Sequence, residues 1–224
     1  HFQQTLTAAL RRRNRNIPVV TLVTQMVVDP HDPAFQNPTK PIGPFYTQEQ
    51  AQQLEREKGY TMKEDSGRGW RRVVPSPRPQ RIVEIGTIKT LWDTTVSIAC
   101  GGGGVPVIER GDGSLEGIAA VIDKDLAACR LAQEMGADIL MILTEVPAVA
   151  IHFGQPDQQD LGETTAAQLE QYAAQGQFGA GSMLPKVQAA VDFVRSAPGR
   201  QAIITSLDLG LEALAGRVGT RVTG

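Results

Sequence analysis

The sequence is short of several things, and each shortage removes a class of protein. It has two cysteines, Cys100 and Cys129, too few for a disulfide framework. It has three histidines, His1, His31 and His152, and no Cys-x-x-Cys pair, so a structural zinc site has no ligand set. No Gly-x-Ser-x-Gly elbow, Walker motif or Gly-x-Gly-x-x-Gly fingerprint occurs. No stretch reaches the ~18 uninterrupted apolar residues of a membrane span, and the uncharged run from Thr94 to Ile108 contains four consecutive glycines. An excess of one charge is missing too: 22 basic against 24 acidic side chains give a net charge of −2, without the basic face of a nucleic-acid binder. What is left is a 224-residue α/β chain long enough to bury a large core, expected in a reducing, cytoplasmic setting.

What is present has a clear order. Phe2, Leu6, Ala9 and Leu10 recur at helical spacing from the first residues, and Arg11, Arg12, Arg13 and Arg15 close that helix. No capping residue precedes it and no signal peptide is visible, so the reading is of a chain that begins inside a helix. The β-branched run Val19–Val28 predicts one buried strand. Eight of the fourteen prolines then fall between residues 30 and 79, which predicts an excursion with its own small fold. Inside it Thr47 and Gln50 form a capping-box pattern for a helix that Gly59 stops. After residue 81 the pattern alternates. Strands are predicted at Thr95–Cys100, Ile139–Leu143, Ala202–Thr205 and Thr220–Val222. Helices are predicted through Ile85–Leu91, after Asp123, over Thr165–Ala174, from about Pro185 and around Leu211. Such alternation implies a mostly parallel sheet covered on both faces.

Four clusters carry chemistry. Gly101–Gly104 follow a buried strand, where backbone N–H groups can close around an anion in the region where open α/β sheets bind ligands. Asp123-Lys124-Asp125 stand at a helix start. A cation there is unfavourable unless something anionic offsets it, and flanking carboxylates can hold the ammonium ready for a phosphoryl group. Gly179-Ala180-Gly181-Ser182-Met183-Leu184-Pro185-Lys186 is a glycine-rich loop feeding a helix with a lysine in its first turn, a polyphosphate-binding arrangement. In Asn37-Pro38-Thr39-Lys40-Pro41-Ile42-Gly43-Pro44 a lysine sits between stiffening prolines, and a solvated turn lysine is its ordinary reading.

Together, in this order, the stretches Pro38–Pro44, Gly67–Pro77, Gly101–Val107, Val121–Ala127 and Gly181–Lys186 resemble the carbamate kinase family over essentially the whole chain. The resemblance implies the amino-acid-kinase fold, an αβα sandwich with a mostly parallel central sheet. Residues 1–28 and 81–224 would form the main domain and 29–80 a protruding lid. It implies reversible phosphate transfer between ATP and carbamate, run from carbamoyl phosphate and ADP, by a homodimer that binds neither nucleic acid nor membrane. It also implies that Lys124 and Lys186 neutralise the phosphoryl group in transit, with Asp125 and Asp123 orienting them. Lys40 would reach carbamoyl phosphate, and Gly101, Gly102, Gly103 and Gly104 would line the substrate side. Thr144, Glu145, Val146, Met183 and Pro185 would surround the nucleotide, with Mg²⁺ riding on its phosphates and no carboxylate cage. The alternatives are a nucleotide- or anion-binding protein of the same fold without catalysis, and a kinase for another carboxylate. Three departures are read from the resemblance. The family's opening strand and upstream glycine loops have no counterpart here, so an N-terminal portion outside these residues is expected, and poor turnover without it. Leu184, read where a glycine is usual, is expected to constrain the nucleotide side. Ala150 and Glu145 replace a tyrosine and an aspartate near the nucleotide.

Overall fold

The computed structural model describes residues 1–65 and 67–224. Helix α1 (Phe2–Arg12) leads to strands β1 (Val19–Thr21) and β2 (Gln25–Val28). The single strand expected over 19–28 is therefore two. β1 runs parallel to a later strand at Val96–Ile98, and β2 runs parallel to another at Val105–Glu109, so the chain changes partner at Leu22–Thr24 and the ladder breaks there.

The excursion builds its own sheet. β3 (Lys40–Tyr46), α2 (Gln48–Lys58), β4 (Thr61–Glu64) and β5 (Trp70–Val74) form a three-stranded antiparallel sheet in the order β3-β5-β4, with Ala51 and Met62 buried between sheet and helix. Pro41 and Pro44 are tolerated because β3 is an edge strand, where a missing N–H breaks no ladder. The capping box forms as expected, with Thr47 Oγ1 accepting from the Gln50 amide, and Gly59 closes α2 in the left-handed region at φ 64°. The chain then rejoins the main body through β6 (Pro79–Ile82), antiparallel to β2.

The remaining elements are α3 (Ile85–Leu91), β7 (Val96–Ile98), β8 (Val105–Glu109), β9 (Leu115–Gly117), α4 (Lys124–Met135), β10 (Ile139–Thr144), β11 (Val149–Ile151), β12 (Gln159–Leu161), β13 (Glu163–Thr165), α5 (Ala166–Ala174), α6 (Met183–Arg195), β14 (Gln201–Ser206), α7 (Gly210–Leu214) and β15 (Thr220–Thr223). Parallel pairs β1·β7, β2·β8, β10·β14 and β13·β15 are joined by antiparallel β2·β6, β8·β9 and β14·β15, so the sheet is mixed and its ladder segmented. The hairpin β11–β12 and the short β13 were not anticipated.

Helix α4 organises the interior. Ala127, Leu131 and Met135, four residues apart, pack into one core with Met26, Ile82 and Ile122. Leu126, Cys129 and Ala132 pack into the other, around Phe193, Ile204 and Val187. Two apolar stripes make this helix a wall shared by two cores, which sets its first turn at their junction. Gly136 ends it at φ 70°.

Candidate active site

The first turn of α4 is built by its own sequence. Asp123 is the N-cap: its Oδ1 accepts from the Asp125 amide at 2.8 Å, which satisfies a donor that the helix leaves open. Its Oδ2 accepts from Lys40 Nζ at 2.6 Å, bringing the first residue of β3 onto the helix terminus across 83 residues of sequence. Asp125 Oδ2 accepts from Lys186 Nζ at 2.8 Å, and Lys124 Nζ stands 3.6 Å from the same oxygen. Three ammonium groups thus share two carboxylates at the positive end of a helix, a local balance of 3 − 2 = +1 before the helix dipole is added. The arrangement is built to attract an anion.

Burial differs among the partners. Lys186 and Asp125 are 8% and 6% exposed, so theirs is an interior pair, whereas the Lys124 side chain is 64% exposed. Burial pushes the Asp123 carboxyl up. The Lys40 hydrogen bond, the Asp125 amide and the charges of Lys40 and Lys124 outweigh that, and the net result lies below the usual carboxylate value. Both cysteines are free and buried, and burial raises the Cys100 thiol to about 11 and the Cys129 thiol to about 12, which favours the protonated form.

Lys40, Asp123, Lys124, Asp125 and Lys186 line one end of a cavity of about 560 Å³. The remainder of its wall comes from Leu143–Val146 at the end of β10, Ala148, Ala150 and Phe153 of the β11 region, and the loop leading into α6, from Gln177 to Met183. One end therefore carries lysines, and much of the remaining wall is apolar. That suits a molecule with a ring at one end and phosphates at the other.

Among the residues expected at the site, Lys40, Asp123, Lys124, Asp125, Thr144, Glu145, Val146, Met183 and Lys186 line this cavity together. Pro185 and Gly101–Gly104 do not line it. Pro185 lies in the first turn of α6, and the glycines form a turn beside the start of α4, where a Cβ on Gly103 would stand 2.2 Å from the Ile122 carbonyl oxygen. Leu184 is not at the cavity either. Its side chain packs against the core around Val187 and Phe193, so the expected constraint on the nucleotide side is replaced by a packing role. Leu143, Ala148 and Phe153 were not anticipated in the lining.

The amino acid kinase family profile matches residues 38–206. A carbamate kinase of Clostridium perfringens is 52% identical over 99% of this chain and 71% of its own length, and one of Pyrococcus furiosus 54% identical over 99% and 70%. A solved carbamate kinase of Giardia lamblia bound to AMP-PNP superposes with a TM-score of 0.88 at 44% identity, covering 99% of this chain and 70% of that one. The chain belongs to the amino acid kinase family and, within it, to the carbamate kinases. It spans about 70% of the length of these relatives. Among the described residues no helix is long and apolar enough to cross a membrane.

Proposed function

We propose that the cavity binds ADP or ATP, and that the protein transfers phosphate reversibly between carbamoyl phosphate and ADP to give ATP and carbamate. The observation that carries this reading is the convergence of Lys40, Lys124 and Lys186 on the two aspartates of the α4 terminus, at the end of a cavity much of whose remaining wall is apolar. Phosphoryl transfer asks little covalent chemistry of a protein. It needs in-line positioning and fixed positive charge where negative charge redistributes. Lys186, immobilised by Asp125, supplies that charge from α6, and Lys124, held more loosely by the same oxygen, supplies it from α4. Lys40 arrives from residues 29–80, read as a lid, and its bond to Asp123 parks the ammonium beside the position the phosphoryl group would take. Gly101–Gly104 are assigned to the carbamoyl phosphate side. Thr144–Val146 and Met183, with the loop before it, are assigned to the nucleotide. Magnesium fits as a passenger of the phosphates, because the two aspartates at the lysine-rich end of the cavity are already bonded to lysine ammonium groups. When bound, it would neutralise phosphate charge.

Carbamate offers almost nothing to recognise beyond its charge, and the lysine-rich end of this cavity matches a small anion rather than a side-chain-bearing carboxylate. The test is substrate choice. ATP formation from ADP is measured with carbamoyl phosphate, acetyl phosphate and aspartyl phosphate in parallel. Preference for carbamoyl phosphate is expected, and preference for aspartyl phosphate would assign the protein to another carboxylate.

A further inference from the structure

The glycine turn is held from outside itself, and the holder is one residue. Thr24, 3% exposed, sits where the β1–β2 run breaks. Its Oγ1 donates to the Leu22 carbonyl at 3.1 Å and accepts from the Cys100 amide at 2.9 Å. Its own carbonyl accepts from the Val105 amide at 2.8 Å. Cys100 and Val105 are the residues immediately before and after Gly101–Gly104, so Thr24 grips the turn at both ends. The grip at the entrance works against a local preference: Cys100 is left-handed at φ 55°, a conformation disfavoured for a residue with a Cβ. From the other side the turn presses on the α4 terminus. A Cβ on Gly103 would meet the Ile122 oxygen at 2.2 Å, and one on Gly104 would come within 3.2 Å of the Thr24 oxygen. Gly103 and Gly104 are therefore packed closely against neighbouring backbone, whereas Gly101 and Gly102 are exposed and face open space. Any slack at Cys100 is passed to those two.

We propose that Thr24 is a positioning residue for the carbamoyl phosphate side of the site, its hydroxyl fixing Cys100 in the left-handed conformation from which the chain enters Gly101 and Gly102, in the turn beside the start of α4. This rests on the assignment of the glycine turn made above. Only a hydroxyl can accept from Cys100 and donate to Leu22 in so small a space, because Val has the same shape and neither function. Nucleotide binding should be indifferent, since neither Thr24 nor the turn lines the nucleotide cavity.

Thr24→Val, Thr24→Ser and Thr24→Ala are compared with the unaltered protein for KM of carbamoyl phosphate, Kd of ADP and hydrogen exchange at the Cys100 amide. Loss of a buried amide's partner predicts that Thr24→Val raises KM for carbamoyl phosphate about tenfold. The Kd for ADP should stay within a factor of two, Cys100 exchange should accelerate, and Thr24→Ser should return all three to near their starting values. If Thr24→Val does not fold, Thr24→Ser against Thr24→Ala isolates the hydroxyl and decides the matter. Unchanged exchange at Cys100 in the variants without a hydroxyl overturns the anchor whatever the activity. Faster exchange with unchanged KM overturns the link to substrate, as does an equal loss for both ligands. If the unaltered protein forms no ATP while Cys100 exchange responds as expected, the failure lies with the assignment of the reaction, and the positioning role falls with it.

Discussion

Replacing Lys186 by methionine separates the two things that this lysine does. The Lys186 and Asp125 side chains are 10% and 9% exposed and meet at 2.8 Å, so removing the ammonium strands a carboxylate in the interior. Breaking a buried pair from one side typically costs about 3–5 kcal/mol. The low end applies here, because Lys124 stays 3.6 Å from the same oxygen. For a chain of this size about 3 kcal/mol lowers Tm by roughly 6–12 °C. Turnover should fall further, by about 10²–10³, the usual loss for one donor aimed at developing charge. The double variant Lys186→Met/Asp125→Asn separates the effects: with the stranded charge gone, at least about half of the lost stability should return, while turnover stays low. Urea unfolding and a coupled ATP-formation assay on the same preparations read both. A single variant with more than half of the original turnover would refute the role of Lys186. A double variant as unstable as the single one would refute the charge argument.

Other expectations follow from the same geometry. Asp123 has its carboxyl value depressed by folding, so its contribution is complete above the ordinary carboxylate range, near pH 4, and lost as pH falls through the lower folded value. Asp123→Asn should accordingly flatten the acid limb of stability against pH. Lys40→Ala should weaken use of carbamoyl phosphate and leave ADP affinity nearly intact, which steady-state kinetics and calorimetry distinguish. Leu184→Gly should lower stability by about 2 kcal/mol through lost packing and helix propensity, without tightening ADP binding. Gly103→Ala should give insoluble or strongly destabilised protein, because the added methyl meets backbone, whereas Gly101→Ala should melt within a degree or two of the original.

The local chemistry of this chain was legible because it is local. The Thr47–Gln50 box, the Asp123 cap and the glycine closing α2 each depend on residues within one turn, and each forms as read. The lysine clusters were legible as anion-seeking for the same reason. What could not be read required distance. The Lys40–Asp123 bond joins residues 83 apart, and no spacing announces it. The run Val19–Val28 is uniformly β-forming, so nothing in its composition marks the change of partner at Thr24. The hairpin β11–β12 is short, and Gln159 and Asp160 give it no alternating pattern. The glycine run was read as a ligand cradle, yet Gly103 is required by the close approach of the Ile122 backbone, a packing demand with the same sequence signature. Leu184 shows the reverse case: a departure read from the resemblance as a functional constraint is a contact with the core.

The lysines of this cavity are expected to transfer phosphate rather than merely bind it. Carbamoyl phosphate labelled with ³²P is incubated with ADP and the protein, and ADP binding is measured by calorimetry on the same sample. Saturable ADP binding and labelled ATP well above the uncatalysed background are expected. Saturable ADP binding with no labelled ATP would contradict phosphate transfer and leave a nucleotide-binding protein of the same fold.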